Sequence, residues 1–199
     1  MDEDPSGAAA VFPGPFVAGT DRAAAVAAAA GYLSSLARIV PDFPRPGILF
    51  RDLTSVLVDR HALPAVAAGL AAGAVEPFDL VAGLDARGFL FGAAVAMYSG
   101  TGVLAVRKAG KLAGAVIGED YDLEYGSARI ELHPDDVPTG SRVLIVDDVL
   151  ATGGTAAAAI RLLERAGAVV VGVSVAMELH ALGGRARIPS VPVAAILQV

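Results

Sequence analysis

Between Val143 and Thr155 the chain runs from an apolar stretch, Val143-Leu-Ile-Val146, into two adjacent carboxylates, Asp147 and Asp148, and on through Val149-Leu-Ala-Thr-Gly-Gly-Thr155. Thr152, Gly153, Gly154 and Thr155 offer backbone N–H groups and hydroxyls at the start of a helix, where unpaired donors and the helix dipole favour a phosphate. Glycine lets the anion approach the backbone closely. No Gly-Lys-Ser/Thr is present, so this is not a nucleoside-triphosphate P-loop. Asp147 and Asp148 can accept hydrogen bonds from sugar hydroxyls or from waters around Mg²⁺. The same residue types also suit a plain helix N-cap flanked by solvated acids. A phosphate pocket beside a pair of acids that can bind a diol points to a sugar phosphate.

A second turn, Asp85-Ala-Arg-Gly88, also lies between an apolar run and a helical segment. Its N–H groups and the Arg87 guanidinium offer another anion a multidentate grip. Arg107, Lys108 and Lys111 fall in and beside the stretch 108–118, which has three glycines and no apolar periodicity and is expected to be mobile. A mobile cationic loop can close over a leaving group, expel water and strengthen the remaining electrostatics. Four acids follow, Glu119, Asp120, Asp122 and Glu124, and the sequence alone does not select one for acid–base work. His61, His133 and His180 lack metal-ligand spacing.

These groups need a scaffold to bring them together. Leu80–Leu84, Val103–Val106, Arg142–Val146 and Val169–Val175 are short apolar runs rich in β-branched residues. They alternate with helical segments at 89–98 and 156–166, with Gly167 placed as a C′ residue. That alternation predicts an α/β fold with a central, mostly parallel sheet flanked by helices, which binds ligands beyond the carboxyl ends of its strands. Both turns lie at that edge. Tyr121–Tyr125 and Arg129–Leu132 read as an antiparallel excursion. Leu33, Leu36 and Val40 predict an amphipathic helix over 23–40, and 63–74 reads as another. Between them Pro41, Pro44 and Pro46 forbid helix and predict a stiff extended loop to Asp52. Residues 1–22 read as a disordered tail, and 23–199 as one domain.

Charge and composition narrow the partners. With 15 Lys+Arg against 21 Asp+Glu, the net charge of −6 disfavours nucleic acid. Mean hydropathy is +0.61, yet no run of about 18 uninterrupted apolar residues exists to span a bilayer. The start, Met1-Asp-Glu-Asp4, lacks the basic region of a secretory signal. The absence of cysteine excludes disulfides and thiolate chemistry. The expectation is a cytoplasmic enzyme-sized domain.

The acid pair followed by Ala-Thr-Gly-Gly-Thr resembles the phosphoribosyl pyrophosphate (PRPP) signature of the type I phosphoribosyltransferases. Four further segments are similar, in order and spacing, to the adenine phosphoribosyltransferase family: Asp42-Phe-Pro-Arg-Pro-Gly-Ile-Leu-Phe-Arg-Asp52, Gly83-Leu-Asp-Ala-Arg-Gly-Phe-Leu-Phe-Gly92, Val106-Arg-Lys-Ala-Gly-Lys-Leu112 and Tyr121-Asp-Leu-Glu-Tyr-Gly126. The resemblance covers about residues 39–188. It implies a small N-terminal hood over about 39–55, and an antiparallel catalytic loop over about 108–126. It implies that Ala151–Thr155 grips the 5-phosphate of PRPP while Asp147 and Asp148 face the ribose hydroxyls. Arg87 is implied as the pyrophosphate clamp, with a cis peptide at Asp85–Ala86, and Arg107, Lys108 and Lys111 as cations over the leaving group. Glu124 matches the acid–base glutamate, and Leu49, Arg51 and Val149 match adenine-binding positions. Mg²⁺ is implied as a passenger of PRPP, through water to Asp147 and Asp148 rather than by direct ligation, and a homodimer as the assembly. Where the family usually has proline after the Lys-Leu pair of its loop, this chain has Ala113. A regulator that keeps the PRPP core without catalysis is the rival reading; it normally adds a DNA-binding domain, and no basic recognition helix precedes the core here.

Overall fold

The computed structural model describes residues 21–43, 45–47, 49–122 and 126–199. Of the expected tail, 1–20 lie outside the described residues, while Asp21 and Arg22 belong to the first helix. Helix α1 (Arg22–Leu36) is capped by Asp21, whose carboxylate accepts from Ala23 N and Ala24 N. Such a cap stabilises by about 1 kcal/mol. The helix stops at Leu36, short of the predicted Val40. Ile39 and Val40 are β-branched and precede Pro41, which pushes its neighbour out of the α region. They enter strand β1 (Arg38–Pro41), which pairs antiparallel with β2 (Leu49–Asp52). The stretch read as a stiff loop is therefore a hairpin, a separate two-stranded sheet corresponding to the expected hood.

Helices α2 (Thr54–Val58) and α3 (Ala62–Ala72) lead into the main sheet. Its strands are β3 (Leu80–Leu84), β4 (Gly102–Lys108), β5 (Ile117–Asp122), β6 (Ser127–Leu132), β7 (Arg142–Leu150), β8 (Val169–Glu178) and β9 (Val193–Gln198). They lie in the order β5-β6-β4-β3-β7-β8-β9. From β4 to β9 every pairing is parallel, and the β5–β6 hairpin joins antiparallel. Helix α4 (Arg87–Ser99) follows β3, and α5 (Gly154–Arg165) follows β7. As predicted, Gly167 closes α5, with a left-handed φ of 94°.

Each face of the sheet buries its own core. Leu84, Val106, Ile145, Val173 and Val175 pack beneath α5 with Leu162 and Leu163. Val81, Leu144, Val146 and Met177 pack against α1, α3 and α4 through Leu33, Leu70 and Phe91. With both faces covered, the apolar runs have no need to alternate. At the carboxyl edge of the sheet the turns after β3 and β7 are partly exposed. No helix among the described residues is long and apolar enough to cross a membrane.

Candidate active site

Strand β7 continues through the acid pair to Leu150, in register with Met177 and Glu178 of β8. Asp147 and Asp148 are therefore strand residues, and the strand runs past them to Leu150. Their backbone is fixed by the ladder, and their side chains leave opposite faces. Beyond them, Ala151–Gly154 turn into α5 and line an open pocket with Asp147, Val149 and Thr155. Leu84, Val173 and Val175 form its apolar floor. Gly153 has φ +79°, a left-handed value that suits glycine, and so turns the chain before the helix. The pocket thus offers the positive end of a twelve-residue helix, two threonine hydroxyls and one carboxylate.

Asp148 is buried on the α4 side, its Oδ2 2.5 Å from Arg87 Nε in an ion pair. Asp147 Oδ1 accepts the Asp148 N–H at 2.9 Å. Burial, reinforced by the neighbouring Asp148 charge, holds the Asp147 carboxyl well above its ordinary value of 3.8. Two acids adjacent in sequence thus have different surroundings, Asp148 against the Arg87 guanidinium and Asp147 against the Asp148 carboxyl and its N–H. Gly88 allows this crowding, because a Cβ there would lie 2.8 Å from Asp147 Oδ1.

The second turn meets the first through these contacts. The Asp85–Ala86 peptide is cis, as the resemblance implied, and Arg87 opens α4. The Arg87 guanidinium stands 5.5 Å from the Phe50 ring centroid, so the hood strand β2 touches the start of α4. Arg107 lies beside the turn, its Nε 3.6 Å from Asp85 Oδ2 and its guanidinium 5.6 Å from the Phe89 ring centroid. Lys108 N–H also points to Asp85 Oδ2, at 3.4 Å. Lys108 and Lys111 are exposed. Stretch 108–118 is tied at its ends: Gly110 N–H donates to Glu131 Oε2, and His133 Nδ1 lies 3.0 Å from Ala115 O.

The acids of the β5–β6 region separate clearly. Glu119 accepts from Arg161 and Arg165 of α5 at 2.7 Å each, and these arginines hold its carboxyl below the ordinary range. Asp120 is paired with Arg129 at 2.8 Å. Both are committed to structural partners. Asp122 ends β5 beside the start of α5, its carbonyl 3.3 Å from where a Gly154 Cβ would sit. Glu124 lies outside the described residues.

Asp147, Val149, Ala151, Thr152, Gly153, Gly154 and Thr155 thus share one pocket, while Asp148 and Arg87 form an ion pair outside its lining, on the α4 side. Leu49 and Arg51 lie on the hood strand, with Leu49 63% exposed. They alternate with Phe50, the residue of that strand that meets Arg87. Sequence reasoning passed over Phe50, which it read as part of a loop. It also passed over the turn Gly184–Arg187, which packs behind the turn at 151–154. The Gly183-Gly184-Arg-Ala-Arg run was the available signal.

Comparison with known proteins agrees with this geometry. The family model for the phosphoribosyl transferase domain matches residues 54–191. The adenine phosphoribosyltransferase of Clavibacter michiganensis subsp. michiganensis is 61% identical over 169 residues, covering 85% of this chain and 96% of that protein. The crystal structure of adenine phosphoribosyltransferase from Rhodothermus marinus superposes with a TM-score of 0.81 at 46% identity, covering 87% of this chain and 99% of that one. The Saccharomyces cerevisiae enzyme, solved in complex with D-2,5-dideoxy-2,5-imino-altritol 1,6-bisphosphate and adenine, gives 0.81 at 38% identity, covering 86% and 99%.

Proposed function

Because the chain belongs to the phosphoribosyltransferase family, we propose that it transfers the 5-phosphoribosyl group of PRPP to adenine, forming AMP and pyrophosphate. The observation that carries this reading is the pocket in which the backbone turn Ala151–Thr155 stands beside the Asp147 carboxyl, with Asp148 next to it in the strand. Backbone donors for the phosphate and carboxylate acceptors for the hydroxyls are what a ribose 5-phosphate requires. Its relatives at 61% and 60% identity carry the name of this activity.

In the reaction, a purine ring nitrogen forms a bond to the anomeric carbon as the carbon–oxygen bond to pyrophosphate breaks, and the nitrogen sheds a proton. Arg87, with Arg107, Lys108 and Lys111, neutralises charge on the departing oxygens, the electrostatic stabilisation that most lowers such barriers. Asp147 and Asp148 orient the ribose hydroxyls. Glu124 takes the proton. With Glu119 and Asp120 paired to arginines, the carboxylates left for that role are Asp122 and Glu124. Leu49, Arg51 and Val149 receive the base, the first two chiefly through backbone groups of the hood.

Mg²⁺ fits this site as a substrate-borne ion. No group of three or more His, Asp or Glu side chains converges among the described residues. Two carboxylates beside a phosphate site are what Mg²⁺ uses when it keeps its waters and rides on phosphates. When bound, the ion supplies charge neutralisation of the pyrophosphate. The reading includes a homodimer, supported by Leu90 and Met97, which stand exposed two turns apart on α4. It assigns the reaction to the cytoplasm, which the cysteine-free sequence supports.

The test is a purine panel. The protein is incubated with PRPP, Mg²⁺ and adenine, guanine, hypoxanthine or xanthine, and nucleotide is measured by chromatography. AMP from adenine alone is expected. A different nucleotide would change the base, and no product with any purine would favour a regulator that only binds PRPP.

A further inference from the structure

The carboxyl end of β8 holds a charge that the reaction does not use. Glu178 is 2% exposed, so its carboxylate has lost nearly all contact with water and must be compensated by protein. Arg185 does this from the turn that follows. Its Nε donates to both carboxylate oxygens at 2.7 and 2.8 Å, and its Nη2 stands 2.7 Å from Oε2. Arg185 Nη1 donates to Val193 O at 2.6 Å, and Gln198 Nε2 donates to Glu178 Oε2 at 3.1 Å. One guanidinium therefore pins the turn to β8 and β9 together.

What the pin holds in place is Gly184. There is no room for a side chain there: a Cβ would collide with Ala151 O and lie 3.1 Å from Gly153 N. The contact is reciprocal, since a Cβ on Gly153 would collide with Gly184 O. Two glycine backbones press directly together, one in the pinned turn and one in the phosphate loop. The loop's left-handed residue thus has the turn as its wall.

We propose that the Glu178–Arg185 pair is a positioning device for the phosphate loop, acting through the Gly184 backbone to aim the N–H groups of 152–155 at the sugar monoester. The inference rests on the proposed reaction. Replacing a buried ion pair often leaves stability unchanged, so retention of this one for stability alone is not required. Its position behind the loop supplies the reason.

Gly184→Ala tests this directly, because it leaves the ion pair intact and puts a methyl against Ala151 O. The expected result is a rise of about 10-fold or more in KM for PRPP, with KM for adenine within about twofold, since small misplacements of a binding group are costly. Binding of ribose 5-phosphate, followed by calorimetry, weakens in the same proportion, while binding of pyrophosphate is unchanged. Arg185→Gln should behave alike, and Arg185→Lys should recover part of the loss. Wild-type PRPP kinetics and ribose 5-phosphate affinity in Gly184→Ala would overturn the proposal, as would equal losses for ribose 5-phosphate and pyrophosphate. Should Gly184→Ala fail to fold, the KM split in Arg185→Lys decides on the same criteria. Failure of the underlying reaction shows separately, as a wild-type protein that forms no AMP.

Discussion

Under the proposed reaction, the two turns at the edge of the sheet hold anions by opposite means. The turn at 151–155 has no charged side chain; it presents N–H groups, two hydroxyls and a left-handed glycine, walled by the backbone of Gly184. The turn at 85–88 works through charge. Arg87 is balanced between Asp148 and the Phe50 ring, and Arg107 between Asp85 and the Phe89 ring. Under the proposed reaction the difference has a physical reason. The sugar monoester stays bound from substrate to product, so a rigid backbone cradle suits it. Pyrophosphate must be gripped and then released, so long side chains with alternative partners suit it. In the free protein those partners are the acids themselves.

The comparison breaks most severely at Arg87. We predict that Arg87→Ala lowers kcat about 100-fold, the scale expected when a preorganised charge is removed from a transition state. Arg87→Lys should recover only part, because an ammonium lacks the planar fork. Steady-state kinetics with both substrates checks this, and an unchanged kcat/KM would remove Arg87 from the clamp. Pyrophosphate binding should suffer more than that of ribose 5-phosphate, the reverse of the pattern expected from Gly184→Ala.

How far the sequence revealed these two plans follows from how each is encoded. The cradle is local: acids, small residues and paired glycines stand in one stretch after an apolar strand, and that order is enough to read a phosphate site. The alternation of apolar runs and helices likewise gave the parallel sheet and its ligand-binding edge. The clamp's surroundings are not local. Phe50 reaches Arg87 only because β1 and β2 pair, and a proline-rich stretch hides strand pairing from periodicity. Glu178 and Arg185 are seven residues apart, and their meaning depends on Gly184 meeting Gly153 across the fold. The end of β7 is non-local for a related reason: the apolar run stops at Val146, yet the β8 ladder carries the strand past Asp147 and Asp148 to Leu150.

A smaller effect sharpens the contrast between the two acids. Asp147 is raised above its ordinary value by burial and by the Asp148 charge. Between that ordinary value and the raised one, the folded chain binds more protons than the unfolded chain. Stability therefore falls as pH climbs through this window, and the loss is complete above it. Asp147→Asn removes the penalty, and its Oδ1 can still accept the Asp148 N–H. We predict a melting temperature a few degrees above wild type at pH 7, with the advantage gone in acid, together with weaker PRPP binding. Thermal denaturation across pH checks the sign. A variant less stable than wild type at neutral pH would refute it. A residue that costs stability and improves binding is where function and folding are expected to conflict.

The mildest prediction concerns a place where the backbone cradle approaches an exposed charge. Arg187 Nη1 would lie 3.8 Å from a Cβ at Gly154, near the start of α5, and it makes no side-chain hydrogen bond or ion pair among the described residues. A cation near a helix N-terminus is repelled by the dipole. An anion seated on the same N–H groups reverses that sign and attracts both. Arg187→Gln should therefore raise KM for PRPP a few-fold, and the difference from wild type should shrink as salt screens the exposed guanidinium. Kinetics at two ionic strengths reads this out. An unchanged KM at low salt would leave the cradle wholly a backbone device, the purer form of the contrast with the charged turn.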